Sequence, residues 1–314
     1  MRRGRTRKLV SGRVVIVTEP LPDEPMQWLA ERCRVIRAGV GEPEFERAIV
    51  HAEALVVRTY TRVDETLLAR APNVRVVGRA GVGLDNIDQT ACQKRSIAVV
   101  HTPDANTSAV AEYVFALIFR RLRPVEPLEC PIDLAEWEAR RTTRGAPREF
   151  NELTLGIIGF GRIGSRVGRI ARAFGARVLY NDIRSIEQEF GCGRADLDEV
   201  LARADVVSVH VDGRSSNRHF FNASRLAHLR GDAWFVNTSR GFVVDERALA
   251  AWLGDHPAAF AMLDVHETEP IDAQHPLLGL ANAELYPHAA AATRSARLRM
   301  GWVVKQVWSV LASE

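Results

Sequence analysis

The sequence predicts a pair of doubly wound α/β domains, each built on a parallel sheet. Short β-branched runs alternate with helical patterns from one end of the chain to the other. The runs are almost continuously apolar, as expected of strands covered on both faces of a parallel sheet. The rhythm breaks between residues 123 and 150, where Pro124, Pro127, Pro131 and Pro147 stand among many charges, and then restarts. With 314 residues the chain is long enough for two domains of about 150 residues each.

In the first series the apolar runs predict strands at Val14–Thr18, Arg34–Arg37, Ala54–Arg58, Val74–Gly78 and Ile97–His101. Helical patterns lie between them at Glu24–Arg32, Glu44–His51, Asp64–Ala71 and Asp88–Arg95, and a long apolar helix is expected over Asn106–Arg121. The proline-broken segment reads as an irregular excursion with a helical turn around Leu134–Arg140. The second series predicts strands at Thr154–Ile158, Arg177–Asn181, Val206–Val211, Ala233–Asn237, Phe260–Leu263 and Leu285–Tyr286. Its helices are expected at Arg162–Phe174, Leu197–Arg203, Ala223–Leu229 and Glu246–Leu253. Leu298, Trp302, Val303, Val307, Val310 and Leu311 recur at helical spacing and predict a closing helix over Ser295–Leu311, long enough to reach back to the first domain.

Gly159, Gly161 and Gly164 form a GxGxxG, with Arg162 and Ile163 between its last two glycines. Here it follows a buried-strand pattern and opens a helix. In that context the first glycine permits a tight turn, the second lets backbone approach a pyrophosphate, and the third permits close helix–sheet packing. Asp182 ends the next strand, where an acid accepts hydrogen bonds from ribose hydroxyls and repels a 2′-phosphate. NAD is therefore expected over NADP, although Arg184 stands near enough to accommodate such a phosphate.

Composition narrows the function classes. Hydrophobic residues make up 46% and charged residues 26%, which excludes a disordered chain. No apolar run approaches the roughly 20 residues of a membrane span, and no secretory signal is present, so a cytoplasmic protein with no membrane partner is expected. Cys33, Cys92, Cys130 and Cys192 show no CxxC spacing and read as reduced thiols. The net charge is +3, but Arg2, Arg3, Arg5, Arg7, Lys8 and Arg13 supply six positive charges, so the remainder carries −3. A nucleic-acid role needs a basic face on the folded body, and this balance does not suggest one.

Further motifs occur in order: Val57-Arg-Thr59, Gly78-Arg-Ala-Gly-Val-Gly-Leu-Asp-Asn-Ile-Asp88, Asn106-Thr-Ser-Ala-Val-Ala-Glu112, Asn237-Thr-Ser-Arg-Gly241, Leu263-Asp-Val265, Glu269-Pro270 and Pro287-His288. With the glycine loop they span about residues 54 to 295, and on them the chain resembles the D-isomer-specific 2-hydroxyacid dehydrogenases. Its first-domain segments look most like a short D-3-phosphoglycerate dehydrogenase, without the C-terminal regulatory domain of some relatives. The resemblance implies a Rossmann nucleotide domain, residues 105–289, inserted into a flavodoxin-like substrate domain, residues 1–104 and 290–314. It implies catalysis in the cleft and a homodimer formed around the Asn106–Arg121 helix.

The reaction so implied is hydride transfer between nicotinamide and a D-2-hydroxy or 2-keto acid. Besides NAD it needs a proton relay and a carboxylate anchor. An imidazole suits the relay because its ordinary pKa is about 6.5. An arginine can orient a planar carboxylate and polarise a carbonyl. Matching the family motifs residue by residue makes His288 the acid/base, Glu269 its partner and Arg240 the anchor. The resemblance also places Asp264 and Thr238 near the nicotinamide and Val211 near the adenosine. Arg58, Thr59 and Gly81 match the substrate-side loops, where backbone N–H groups can hold a carboxylate. Arg79 offers charge for a phosphorylated substrate; 3-phosphoglycerate is the first expectation, then hydroxypyruvate or glyoxylate. The same fold serves the C-terminal-binding-protein corepressors, so a non-catalytic NAD sensor is the alternative.

Three departures from the family pattern stand out. Alanines fill Ala289–Ala292 where glycine is usual, Asp212 replaces a common proline, and Asp104 replaces a small residue. A metal at Asp264, His266, Glu267, Glu269 and His275 is not expected, because there is no HExxH and the spacing fits no standard site.

Overall fold

A computed structural model describes residues 12–143 and 148–313. Arg2, Arg3, Arg5, Arg7 and Lys8 of the basic arm lie outside the described residues. The chain divides into two compact units, one made of residues up to Asn106 and from Ala291 onward, the other of Thr107–Ala290.

The first unit alternates β1 (Val14–Val17), α1 (Asp23–Ala30), β2 (Arg34–Arg37), α2 (Pro43–Ala48), β3 (Ala54–Val57), α3 (Glu65–Ala69), β4 (Val76–Arg79), α4 (Gln89–Lys94) and β5 (Ala98–His101). The strands form one sheet in the order β2-β1-β3-β4-β5, and every pairing is parallel. Helix starts are set locally: the Asp64 and Asp88 carboxylates accept the amide hydrogens of Leu67 and Ala91.

The second unit opens with α5 (Thr107–Leu122) and α6 (Leu134–Thr143), then alternates β6 (Thr154–Ile158), α7 (Arg162–Ala173), β7 (Arg177–Asn181), β8 (Gly193–Arg194), α8 (Leu197–Arg203), β9 (Val206–Val209), α9 (Ala223–Leu226), β10 (Trp234–Asn237), α10 (Glu246–Asp255), β11 (Phe260–Leu263) and β12 (Ala283–Leu285). Its sheet runs β12-β11-β10-β9-β6-β7-β8, again parallel throughout. Both faces are covered. Leu155, Ile157, Tyr180 and Met262 face the core shared with α5 and α7, while Ile158, Val207, Phe235 and Leu263 face the other.

The chain then returns to the first unit as α11 (Arg294–Gly301) and α12 (Val303–Ala312). Val303, Val304, Val307 and Leu311 are buried against β1, β3 and β4. Gly78 makes room for this contact, since a Cβ there would fall 2.3 Å from a methyl of Val307.

Besides shifted element ends and the unpredicted two-residue strand β8, three elements differ from the sequence expectation. The closing helix is broken at Trp302, directly after Gly301, where a Cβ would come within 3.0 Å of Pro25 and 3.1 Å of Pro22. The helical turn near Leu134 extends to a ten-residue helix, aided by Asp133 accepting the Glu136 amide hydrogen. The last strand lies at Ala283–Leu285 rather than Leu285–Tyr286, because the Tyr286 carbonyl leaves the ladder to accept the His266 ring N–H. No helix among the described residues is long and apolar enough to cross a membrane.

Candidate active site

In the second unit the strand order reverses between β6 and β9, the place where open α/β sheets bind ligands beyond their carboxyl ends. Gly159 sits there at φ +91°, and a Cβ on it would fall 2.8 Å from the His210 carbonyl group. A Cβ on Gly164 would fall 2.1 Å from the Gly159 carbonyl oxygen, so both positions need glycine. Gly161 differs: the nearest atom to a Cβ there is the end of the Arg184 side chain, 3.5 Å away. It is the N-cap of α7, and no side chain caps that helix. The space above Gly161 and the positive end of α7 together suit a pyrophosphate. Arg162 is exposed in the first turn, and Ile163 packs half-buried on the core.

Asp182 follows β7. Its carboxylate accepts the Phe160 amide hydrogen at 2.7 Å and the Arg184 amide hydrogen at 2.8 Å, and the Arg184 guanidinium contacts both oxygens at 3.2 and 3.3 Å. Burial alone would raise this carboxyl, but the Arg184 contacts and the Phe160 amide hold it below the usual range. Arg184 is thus tied to the acid. Asp212, the residue in place of the common proline, pairs in the same way with Arg214 at 2.5 Å. Val211 is half-buried beside Gly159. The Thr238 hydroxyl is buried with no hydrogen-bond partner, as expected of a group that awaits a ligand. This orphan, the open Gly161 and the uncapped α7 fit NAD.

The adjacent strands β10, β11 and β12 carry Arg240, Glu269 and His288 on the segments after their carboxyl ends. His288 Nδ1 lies 2.8 Å from Glu269 Oε2. The other oxygen of Glu269 accepts the His266 amide hydrogen at 3.0 Å. Burial would raise the Glu269 carboxyl; the His288 contact and the His266 amide bring it below its ordinary range. Because a carboxylate only accepts, Nδ1 of His288 carries a proton and Nε2 is left for other chemistry. His288 itself has φ +53°, an uncommon conformation for a residue with a side chain.

Asp264 holds that turn. It is fully buried, its two oxygens accept the Ala289 and Ala290 amide hydrogens at 2.8 Å each, and burial and the Asp264 charge beside it push the Tyr113 hydroxyl up to about 12. Burial pushes the Asp264 carboxyl above its usual range against those donors. None of Ala289–Ala292 has positive φ, so alanine meets no backbone strain there. Gly241 lets the Arg240 loop touch the His266 loop: a Cβ there would fall 1.8 Å from the His266 carbonyl carbon. Arg240 is half-buried, with its guanidinium donating to the Ser239 carbonyl at 2.8 Å.

The remaining residues named from sequence lie in the first unit, at the carboxyl ends of β3 and β4 and in the loops that follow. The expectation that the Arg58 and Thr59 amides hold a substrate carboxylate needs correction. Both donate to the Glu19 carboxylate, at 3.0 and 2.9 Å, as do Tyr60 and Thr61. Burial works to raise Glu19, but these four amides hold it below its ordinary range. The Gly81 amide turns back to the Arg79 carbonyl at 2.8 Å, and the Arg79 guanidinium covers Gly81 so closely that a Cβ would collide with it. Side chains, rather than free amides, are what this edge offers a ligand. Glu19, Tyr113 and Phe160 were not singled out from sequence, because their partners are 40, 151 and 22 residues away.

Residues 115–290 match the family model described as the D-isomer specific 2-hydroxyacid dehydrogenase, NAD binding domain. The chain is 39% identical to a glyoxylate reductase of Aeropyrum pernix over 81% of its own length and 78% of that protein. It is 34% identical to a D-3-phosphoglycerate dehydrogenase of Archaeoglobus fulgidus over 93% of its length, and spans 56% of that relative. A crystal structure of D-lactate dehydrogenase from Aquifex aeolicus, complexed with NAD and lactic acid, superposes with a TM-score of 0.81 at 31% identity, covering 95% of each chain. The glycine loop, the acid after β7 and the His288–Glu269 pair thus stand in a chain that belongs to the D-isomer-specific 2-hydroxyacid dehydrogenase family, NAD-dependent oxidoreductases.

Proposed function

We propose that the chain interconverts a D-2-hydroxy acid and its 2-keto acid with His288 as acid/base, Glu269 as its partner and Arg240 as carboxylate anchor. The observation that carries this reading is the 2.8 Å contact between His288 Nδ1 and Glu269 Oε2, next to the strand end that bears Arg240. The ionised Glu269 keeps the proton on Nδ1 and fixes the ring, so protons exchange with substrate at Nε2. In reduction Nε2 donates to the carbonyl oxygen; in oxidation it accepts the hydroxyl proton. NAD supplies or accepts the hydride when bound. Gly159, Gly161, Arg162, Ile163 and Gly164 would hold its pyrophosphate, Asp182 and Val211 its adenosine end, and Thr238 and Asp264 its nicotinamide end. Asp264 also shapes the His288 turn through the Ala289 and Ala290 amides.

In this reading the first unit is the substrate-binding part, with the side chains of Arg58, Thr59 and Arg79 as its substrate edge and Gly81 giving the Arg79 guanidinium room to lie across it. Two arginines at the carboxyl ends of neighbouring strands support an acid with a second anionic group, 3-phosphoglycerate before hydroxypyruvate or glyoxylate. The chain is also proposed to be a homodimer. Val125, Leu128, Leu134 and Trp137 are exposed just after α5, at 88, 45, 72 and 47%, and a second copy covering them would remove that apolar surface from water.

The test is NADH oxidation with a panel of 2-keto acids in the unmutated protein and in His288→Ala. The substitution is expected to lower kcat by about 10²–10⁴-fold while NADH still binds. Turnover by His288→Ala equal to the unmutated protein would remove His288 from this role.

A further inference from the structure

Glu246, His266 and His275 meet in the second unit and include neither His288 nor Glu269, although the His266 backbone touches Glu269. We infer that they form a binding site for one divalent transition-metal ion of the zinc class. Glu246 opens α10, His266 follows β11, and His275 lies in the loop before β12. All three are at least nine-tenths buried, with exposures of 6, 7 and 9%. Their candidate ligand atoms lie within 4.8 Å of one another. His275 Nε2 is 3.1 Å from Glu246 Oε2, and His266 Nδ1 is 3.7 Å from Glu246 Oε1. Four-coordinate zinc with bonds of about 2.0–2.1 Å sets its ligand atoms roughly 3.3 Å apart, so small side-chain movements close the set.

Two further observations point to a ligand. His266 Nδ1 is buried 3.7 Å from Glu246 Oε1, beyond hydrogen-bond reach, and buried polar atoms seldom stay without a partner. The tautomer of His266 is already suitable. Its Nε2–H donates to the Tyr286 carbonyl at 2.8 Å, so Nδ1 is the ring nitrogen that faces the cluster and gives up any proton it shares with Glu246 when an ion binds, and such a backbone contact is the usual support of a ligating histidine. His275 must adjust: its Nδ1 now accepts the Leu277 amide hydrogen at 3.3 Å, and coordination through Nε2 moves the ring proton to Nδ1 and releases that long contact. Two imidazoles and one carboxylate suit zinc, and three protein ligands leave a position for water. Glu246 and His275 also line an open cavity of about 420 Å³, with Asp245, Arg247, Glu267 and Asp272 on its wall, which gives a hydrated ion a polar route from solvent.

The site bears on the proposed chemistry through one residue. The His266 amide holds Glu269, and the His266 ring holds the Tyr286 carbonyl, two residues before His288. An ion on Nδ1 would fix both arms of the His288–Glu269 pair, with His266 as a positioning residue. This coupling rests on the proposed role of His288; the ion site itself does not. Spacing could not reveal the set, since Glu246 lies 20 residues before His266 on a different element.

The experiment is zinc titration of the chelator-stripped full chain against a chromophoric competitor, with cobalt substitution read by visible absorption. One zinc per chain at micromolar affinity or tighter is expected, with the intense bands of four-coordinate cobalt. His266→Phe, Glu246→Gln and His275→Gln should each weaken zinc at least about tenfold while circular dichroism stays native. His288→Ala should keep the ion, which separates this site from the His288–Glu269 pair and from failure of the catalytic reading. No stoichiometric binding in the unmutated chain would overturn the inference. So would unchanged affinity in the folded Glu246→Gln and His266→Phe variants, or loss of the ion in His288→Ala.

Discussion

Two loops leave the carboxyl ends of buried parallel strands with their amides gathered together, and they end in opposite states. After β3, the amides of Arg58, Thr59, Tyr60 and Thr61 all point to the Glu19 carboxylate. After β6, the Phe160 amide is taken by Asp182, while the start of α7 has no side-chain cap. In each case the acid follows the neighbouring strand of the sheet, Glu19 after β1 and Asp182 after β7. Glu19 is one methylene longer and reaches into the whole loop. Asp182 is shorter and is held by Arg184. A cluster of amides is therefore an anion site only where no acid of the chain itself reaches it first.

The largest effect expected on this contrast is in the open loop. Gly161→Ala has room for its methyl in the protein but places it where the pyrophosphate would approach. NADH affinity, followed by fluorescence titration, should fall about a hundredfold, or 2.7 kcal/mol, with Tm near that of the unmutated chain. Unchanged affinity would break the contrast outright.

Next is the closed loop. Glu19→Ala strands four amides and should lower stability to urea by about 1–3 kcal/mol without changing NADH affinity. The Glu19 pKa is depressed on folding, so its contribution is present above about pH 4.5 and is lost as pH falls through the folded value. The stability of Glu19→Ala should therefore fall less steeply in acid than that of the unmutated chain. A parallel acid limb would mean that Glu19 does not hold the loop.

The smallest effect concerns how the open loop chooses its ligand. Asp182→Ser removes the charge that would meet a 2′-phosphate and frees Arg184 to pair with it. The preference for NADH over NADPH should shrink roughly tenfold, about 1.4 kcal/mol, in paired titrations. If the ratio does not move, cofactor choice lies elsewhere in the unit.

The GxGxxG and the strand before it were legible because each glycine answers a local demand of turn or packing, as Gly159 and Gly164 bear out. The strand runs were legible for a similar reason: both sheets are buried on two faces, so apolar runs stand out without knowledge of partners. Arg240, Glu269 and His288 were each undistinguished alone and became readable as an ordered set in matching motifs. Glu19 and Glu246 carried no such signal. A glutamate in a loop or at a helix start is ordinary, and its burial depends on segments tens of residues away.

The sequence by itself determined two parallel α/β series, a dinucleotide loop with an acid after the next strand, and the motifs of a 2-hydroxyacid dehydrogenase. Each of these rests on residues near one another in the chain, where periodicity and steric need act. Tertiary structure alone decided that Glu19 fills the Arg58–Thr61 amides, that Asp264 grips the turn of His288, and that Glu246 joins His266 and His275. Such contacts depend on which strands become neighbours in the sheet, and polar groups removed from water there must find partners that linear spacing does not encode.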